Sequence, residues 1–311
     1  MPQVPCGTVS DARMWDGLVV VDKPSGWTSH DVVAKLRKVY GQRRVGHAGT
    51  LDPSATGVLL VGLGRVTRLL RFLQVAPKSY RGTVRFGVAT STLDAAGEIL
   101  DRREMPLAME QVVDAARCFV GDIEQVPPMV SAIKIDGRRL HELARRGIEV
   151  ERDARPVHID RFEVEEFEPG PYPLATILVE CSSGTYIRTL AADVGAALGG
   201  PAHLESLRRL RVASFGLDES RSLEVIEADP EGAVVPPVVA MRDLERLSVD
   251  AERARAVTHG MTFPVSTLGD LGKGPFAVVG PDDALLAVYE RRRAGVKPAV
   301  VVAQSGDQEA G

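Results

Sequence analysis

Two short, unbroken apolar runs constrain this chain most: Gly17-Leu-Val-Val-Val-Asp22 and Val58-Leu-Leu-Val-Gly-Leu63. Both are too short for core helices and are bounded by Gly, Pro or Asp, so both are expected to be buried strands. Between them, Val32, Val33, Leu36 and Val39 give the stripe of a helix over about 30–40, with Ser29 as cap and Gly41 as stop. The stretch 43–57 has three glycines, a proline and no period, and is expected to be a loop. Further along, the pattern predicts strands over 80–88, 157–167 and 174–181 and helices over 66–73, 107–119 and 185–198, with a basic helical piece over 138–146. Strands outnumber helices and do not alternate strictly with them. An α+β fold with a mixed sheet is therefore expected, not a doubly wound one.

A chain of 311 residues has room for one large domain and a small appendage. The character changes near residue 215, where acidic, Pro-containing sequence reads as a linker to a small β-rich unit with strands over 276–279, 285–289 and 299–302. The expected division is 10–235 and 245–305. Charge follows the same division. Between Lys35 and Arg85 eleven basic residues surround a single acid, Asp52, a local excess of ten positive charges, whereas 217–254 is acidic by six. Such a chain can hold a phosphate backbone on one face although its net charge is −4. No apolar run approaches the roughly 18 residues of a membrane span, and the first fifteen residues lack the apolar core of a signal peptide. A soluble, cytoplasmic protein is expected.

The loop Arg44-Val-Gly-His-Ala-Gly-Thr-Leu-Asp-Pro-Ser-Ala-Thr-Gly57 can hold one carboxylate rigidly at a cleft mouth. Among so many cations Asp52 is expected to stay ionised, fit to be a nucleophile, a base or a cation ligand. It can equally cap a turn through its own backbone, as Asp before Pro often does. In Cys181-Ser-Ser-Gly-Thr-Tyr-Ile-Arg-Thr-Leu190, Gly184 turns the chain from a strand into a helix whose first turn carries Tyr186 and Arg188, an Arg placed to meet an anion or simply to be solvated. Tyr80, within Lys78-Ser-Tyr-Arg81, is a stacking platform or a plain strand aromatic. Other chemistries find no support. The three cysteines (Cys6, Cys118, Cys181) and six histidines have no metal-ligand spacing, so no metal is expected. Gly62-Leu-Gly64 lacks the third glycine of a dinucleotide fingerprint, and Ser54, His47 and Asp52 sit without a GxSxG elbow. The chain has no asparagine, so base reading by Asn is excluded.

Six blocks, in order, resemble the TruB family of tRNA pseudouridine synthases: Asp22-Lys-Pro-Ser-Gly-Trp-Thr-Ser29, Gly46-His-Ala-Gly-Thr-Leu-Asp-Pro-Ser-Ala-Thr-Gly57, Lys78-Ser-Tyr-Arg81, Pro127-Pro-Met-Val-Ser-Ala-Ile-Lys134, Ser183-Gly-Thr-Tyr-Ile-Arg188 and Leu207-Arg-Arg-Leu210. They span about 16–215. The segment Thr90-Ser-Thr-Leu-Asp94, with Ser91 where the family often has Asp, and the leader 1–15 fall outside them. The resemblance implies a largely antiparallel central sheet flanked by helices, followed by a small PUA-like RNA-binding module. It implies isomerisation of uridine to pseudouridine at position 55 in the T-loop of tRNA by base flipping, base detachment and C-glycoside re-formation, with no cofactor, no required protein partner and a monomeric enzyme.

Residue by residue, the resemblance makes Asp52 the essential carboxylate and stacks Tyr80 on the flipped uracil where a proton leaves C5. Arg188 becomes the partner that keeps Asp52 charged, and His47 braces the gap left by the nucleotide. Tyr186 and Leu207 line the base pocket, and Lys23 is assigned to substrate binding. The segment 138–146 becomes a clamp over the RNA. Two other readings are an RNA-binding or RNA-folding protein without turnover and a guide-RNA-dependent pseudouridine synthase. Short, unbiased termini weigh against the latter.

Overall fold

The computed structural model describes residues 14–129, 150–264, 266, 272–292 and 295–302, with the backbone at 134–135 and 138–139. In chain order the first elements are β1 (Gly17–Lys23), α1 (Ser29–Val39), β2 (Val45–His47), β3 (Thr56–Leu63), α2 (Leu70–Gln74), β4 (Lys78–Phe86), β5 (Val88–Thr90) and β6 (Ile99–Arg102). Then come α3 (Met109–Arg117), β7 (Gly121–Gln125), β8 (Lys134–Ile135), β9 (Arg138–Arg139), β10 (Arg155–Glu168), β11 (Leu174–Cys181), α4 (Ile187–Ala197), β12 (Ala202–Val212) and β13 (Phe215–Gly216). The central sheet runs β1-β3-β12-β4-β11-β10-β7, with β2 added to β3 and β13 to β12. Every pairing is antiparallel except β12 with β3, which meet in parallel at Arg208–Thr56 and Arg209–Gly57. The fold class is therefore α+β with a largely antiparallel sheet.

The two apolar runs are β1 and β3, side by side and buried on both faces. Leu18, Val20, Val58 and Leu60 share one cluster with Leu69, Leu70 and Leu73. Val19, Val21, Leu59 and Val61 share another with Val32, Val33 and Leu36 of α1. A strand covered on both sides has no polar face, which is why neither run alternates. A third cluster joins β4, β11 and β12 to the inner faces of α3 and α4, including Phe86, Ile177, Leu190 and Val194.

Beyond β13 the chain does not run as a free linker. Leu223, Ile226 and Ala233 are buried against the α1 cluster, and Leu18 and Val235 exchange backbone hydrogen bonds of 2.9 and 2.7 Å. The acidic composition of 217–254 describes only the outward side of this segment. A second sheet follows, in order β14 (Glu245–Ser248), β15 (Phe276–Val279), β16 (Leu285–Arg292) and β17 (Gly295–Val301). Its Ala277, Leu285, Val288 and Val300 join the core beside Leu69 and Leu70, and its other face is covered by a helix at Ala251–Thr258.

Several sequence expectations give way. The stretch 43–57 is not all loop, because Val45–His47 hydrogen-bonds to β3 as an extra edge strand. The helix expected over 66–73 is a 3₁₀ segment at Gly64–Arg68 followed by the single α-turn of α2. The eleven-residue β12, which pairs with β4 along its length, is hidden in the sequence by its charge, for Leu-Arg-Arg-Leu-Arg carries no clean alternation. The basic helix cannot start at Arg138, since 134–135 and 138–139 pair as a hairpin; residues 140–149 of the expected clamp, and 1–13 of the leader, lie outside the described residues.

Candidate active site

The segment between β2 and β3 is fixed carbonyl by carbonyl. The guanidinium of Arg209 donates to Gly49 O at 3.3 Å and Thr50 O at 3.5 Å, and its Nε donates to Val58 O at 2.7 Å. The buried hydroxyl of Ser29 donates to Leu51 O and accepts from Leu51 N, at 3.2 and 2.9 Å. The amide of Ala55 donates to Asp52 O at 3.1 Å. Pro53 O accepts from Gly26 N at 2.8 Å and from Lys23 Nζ at 3.2 Å. Gly57 ends the loop at φ +100°, and a Cβ there would stand 2.2 Å from the carbonyl oxygen of Arg209. Only glycine permits β3 to approach β12 this closely. Asp52 is thus held on a backbone with little freedom to move.

Arg188, in the first turn of α4, reaches the Asp52 carboxylate with Nε at 3.1 Å and a terminal nitrogen at 3.4 Å, a two-pronged contact. The remaining nitrogen donates to Thr92 O at 3.1 Å and lies 3.6 Å from Asp94. One guanidinium, only 5% exposed, therefore serves two carboxylates. The N-terminus of α4 is itself fixed. Gln125, buried in β7, accepts from Tyr186 N at 3.0 Å and donates to Tyr186 O at 3.4 Å. Tyr80 rises from β4 with its ring buried.

Asp52, Tyr80, Tyr186, Arg188 and Leu207 line one cleft of roughly 280 Å³, which Lys78 and Arg209 also wall. Its electrostatics depart from the sequence expectation. Burial pushes the Asp52 carboxyl above the usual carboxylate range, Arg188 draws it down, Asp94 raises it further and Lys23 lowers it. Burial is the largest of these effects, so proximity to cations in sequence did not predict the sign. Burial likewise raises the Tyr80 phenol, partly offset by the charge and a hydrogen bond of Arg209.

Lys23 and His47 do not join the cleft wall. Lys23 is fully buried and its ammonium donates to Pro24 O at 2.9 Å, Trp27 O at 2.6 Å and Pro53 O at 3.2 Å. All three donors are occupied, and Lys23 braces the loop. His47, in β2, packs edge-to-face on His30 at 5.4 Å with its Nδ1 unpartnered; burial and His30 lower its pKa. Asp94, Lys78, Arg209, Gln125 and Ser29 are site residues that the sequence reading missed. For Asp94 a signal existed, a lone acid following Thr90-Ser-Thr, but that stretch lies outside the matched blocks. Buried Arg and Gln leave no such trace.

A largely antiparallel sheet thus bears this carboxylate cleft on one side. Residues 37–187 match the model of the TruB family pseudouridylate synthase (N terminal domain). The chain is 46% identical to the tRNA pseudouridine synthase B of Thermobifida fusca, over 94% of this chain and 100% of that one. It is 45% identical to the tRNA pseudouridine synthase B of Mycobacteroides abscessus, over 92% and 96%. Among solved structures, a chain from the crystal structure of a Cbf5-Nop10-Gar1 complex superposes with a TM-score of 0.73 at 26% identity, covering 93% of this chain and 85% of that chain. The chain belongs to the TruB family. No helix among the described residues is long and apolar enough to cross a membrane.

Proposed function

We propose that this protein converts uridine 55 in the T-loop of tRNA to pseudouridine, acting alone and as a monomer. The observation that carries the reading is Asp52, held on a pinned loop and gripped by Arg188 in the one cleft that Tyr80 also lines. Two relatives that match nearly the whole chain are named as tRNA pseudouridine synthases, which supports tRNA as the substrate class.

A base inside a stacked loop must be extruded before its glycosidic bond can be worked on. Tyr80, Tyr186 and Leu207 offer the flipped base an aromatic and apolar slot. Asp52, ionised under the grip of Arg188, takes the sugar side of the breaking bond or assists its departure. Tyr80 stands where the proton of C5 must leave after the base has turned. His47, at the edge beside His30, braces the vacated position in the RNA. The small C-terminal sheet adds a PUA-like surface for RNA. The division into 10–235 and 245–305, and a cytoplasmic setting, belong to the same proposal.

The test is direct. The purified chain, with no other protein or RNA, is incubated with an unmodified tRNA transcript and the product is mapped for pseudouridine. Conversion at position 55 alone is expected. Conversion only after a guide RNA is added, or binding without conversion, would replace this reading with one of its two rivals.

A further inference from the structure

Three cations wall the cleft, Lys78, Arg188 and Arg209, with Lys23 behind it, and the carboxylates among them are Asp52 and Asp94. Arg188 takes both carboxylates, and Lys23 is occupied by three carbonyls. Lys78 and Arg209 remain. They are 8% and 1% exposed, both wall the cleft, and neither has a carboxylate partner among the described residues. The ammonium of Lys78 donates to Gln74 O at 2.7 Å and Ala76 O at 2.5 Å, two contacts for three N–H groups. Arg209 spends one N–H on each of three carbonyls and one on the Tyr80 hydroxyl, and has five. The nearby thiol of Cys181, pushed up to about 11 by burial, is neutral and supplies no counter-charge. Burial and Arg209 hold Lys78 down at about 8, still mostly charged at neutral pH.

Burying a cation without a counter-charge is costly. A fold that does so twice on one wall is built for an anion that arrives later. We propose that Lys78 and Arg209 hold the negative charge of the uracil while it is detached from its sugar. This rests on the pseudouridine synthase reading above.

The electron count requires such an anion. When the C1′–N1 bond breaks, its electron pair leaves on N1 and spreads to O2 and O4, while C1′ is taken by an oxygen of Asp52. That carboxylate loses its charge in forming the C1′–O bond, and the charge now resides on the base. C5 then attacks C1′, the C1′–O bond breaks and returns the carboxylate, C5 gives up its proton and N1 gains one. Between these steps the only mobile negative charge in the cleft is on the uracil, next to two cations with donors to spare. Preorganised charge of this kind acts on the barrier more than on ground-state binding.

Lys78→Gln removes the charge and keeps N–H donors for the two carbonyls; Lys78→Arg restores the charge. Single-turnover rates of C1′–N1 cleavage at saturating enzyme are compared on tRNA transcripts carrying uridine or 5-fluorouridine at the target, the latter having no C5 proton to lose and so stopping short of pseudouridine, with Kd from filter binding and folding checked by thermal melting. The fluorine stabilises the anionic base by itself. Lys78→Gln is expected to slow the uridine substrate by roughly 10²–10³-fold with Kd within about threefold, and Lys78→Arg to recover most of it. The deficit on 5-fluorouridine should be at least about tenfold smaller. Arg209→Gln should show the same substrate dependence; if it does not fold, the Lys78 comparison decides alone. Equal deficits on both substrates would overturn the proposal and leave Lys78 a structural brace. A loss of Kd matching the loss of rate would also overturn it and assign the cations to an RNA phosphate. A wild-type enzyme that makes no pseudouridine would instead sink the functional reading itself.

Discussion

Replacing Arg188 by Met removes the charge from a site where two carboxylates face one cation. At the 3.1 Å separation of Nε and the Asp52 oxygen, the Coulomb attraction at an effective dielectric constant of about 20 is roughly 5 kcal/mol. The Asp52 side chain is 35% exposed, so water screens much of this, and a net loss of about 2 kcal/mol is the appropriate estimate. That corresponds to at least about a 30-fold fall in kcat at neutral pH. The sign of the pH effect follows from the same geometry. Burial and Asp94 already push the Asp52 carboxyl up, and Arg188 is the main opposing influence. Without it the carboxyl rises further, and the acid limb of the kcat–pH profile moves toward neutral pH. Arg188→Lys should restore part of the rate, since it returns charge but not the two-pronged geometry. The assay is single-turnover pseudouridine formation on unmodified tRNA from pH 5 to 9, with Kd measured in parallel. A profile for Arg188→Met that overlays the wild type would refute the pairing argument.

Asp94→Asn should move the acid limb the opposite way, to lower pH, because it removes a charge that raises Asp52; an unmoved limb would separate Asp94 from the site. Asp52→Asn should abolish turnover with tRNA affinity within a few fold. It should also raise Tm at neutral pH: a carboxyl whose folded pKa lies above its unfolded value costs stability once pH exceeds both. The gain should therefore vanish as pH falls through the Asp52 range toward 3.8, and a lower Tm at pH 7 would contradict the buried-charge argument. Salt dependence of tRNA binding should divide the basic stretch. Lys38→Ala or Arg43→Ala should each reduce the log–log salt slope by roughly 0.7–0.9, whereas Arg81→Ala and Arg85→Ala, already paired with Glu165 and Glu205, should change it much less; equal effects would mean these pairs open on binding. Gly57→Ala should lower Tm and activity together, since its Cβ meets the Arg209 backbone; an unchanged Tm would show that β3 and β12 can separate without loss.

Local pattern and the blocks that match the family were legible in the amino-acid order. The apolar runs at 17–22 and 58–63 identified β1 and β3, because a strand covered on both faces must be apolar throughout. The Leu174–Cys181 alternation matches β11 to the residue, and the Gly-rich loop with its single acid marks Asp52. The tertiary structure decided the charges. Among the described residues, five of the eleven basic residues between Lys35 and Arg85 pair with acids elsewhere, such as Lys35 with Glu227 and Arg65 with Asp16, so the local excess seen in sequence is partly cancelled in space. Lys23 and Lys78 both stand in matched motif blocks, yet one is enclosed by carbonyls and the other walls the cleft. Ionisation depends on desolvation and on neighbours a few ångströms away, and these are brought together only by folding. Residue order determined where Asp52 would be held; the three-dimensional surroundings alone determined how hard it is to keep it charged.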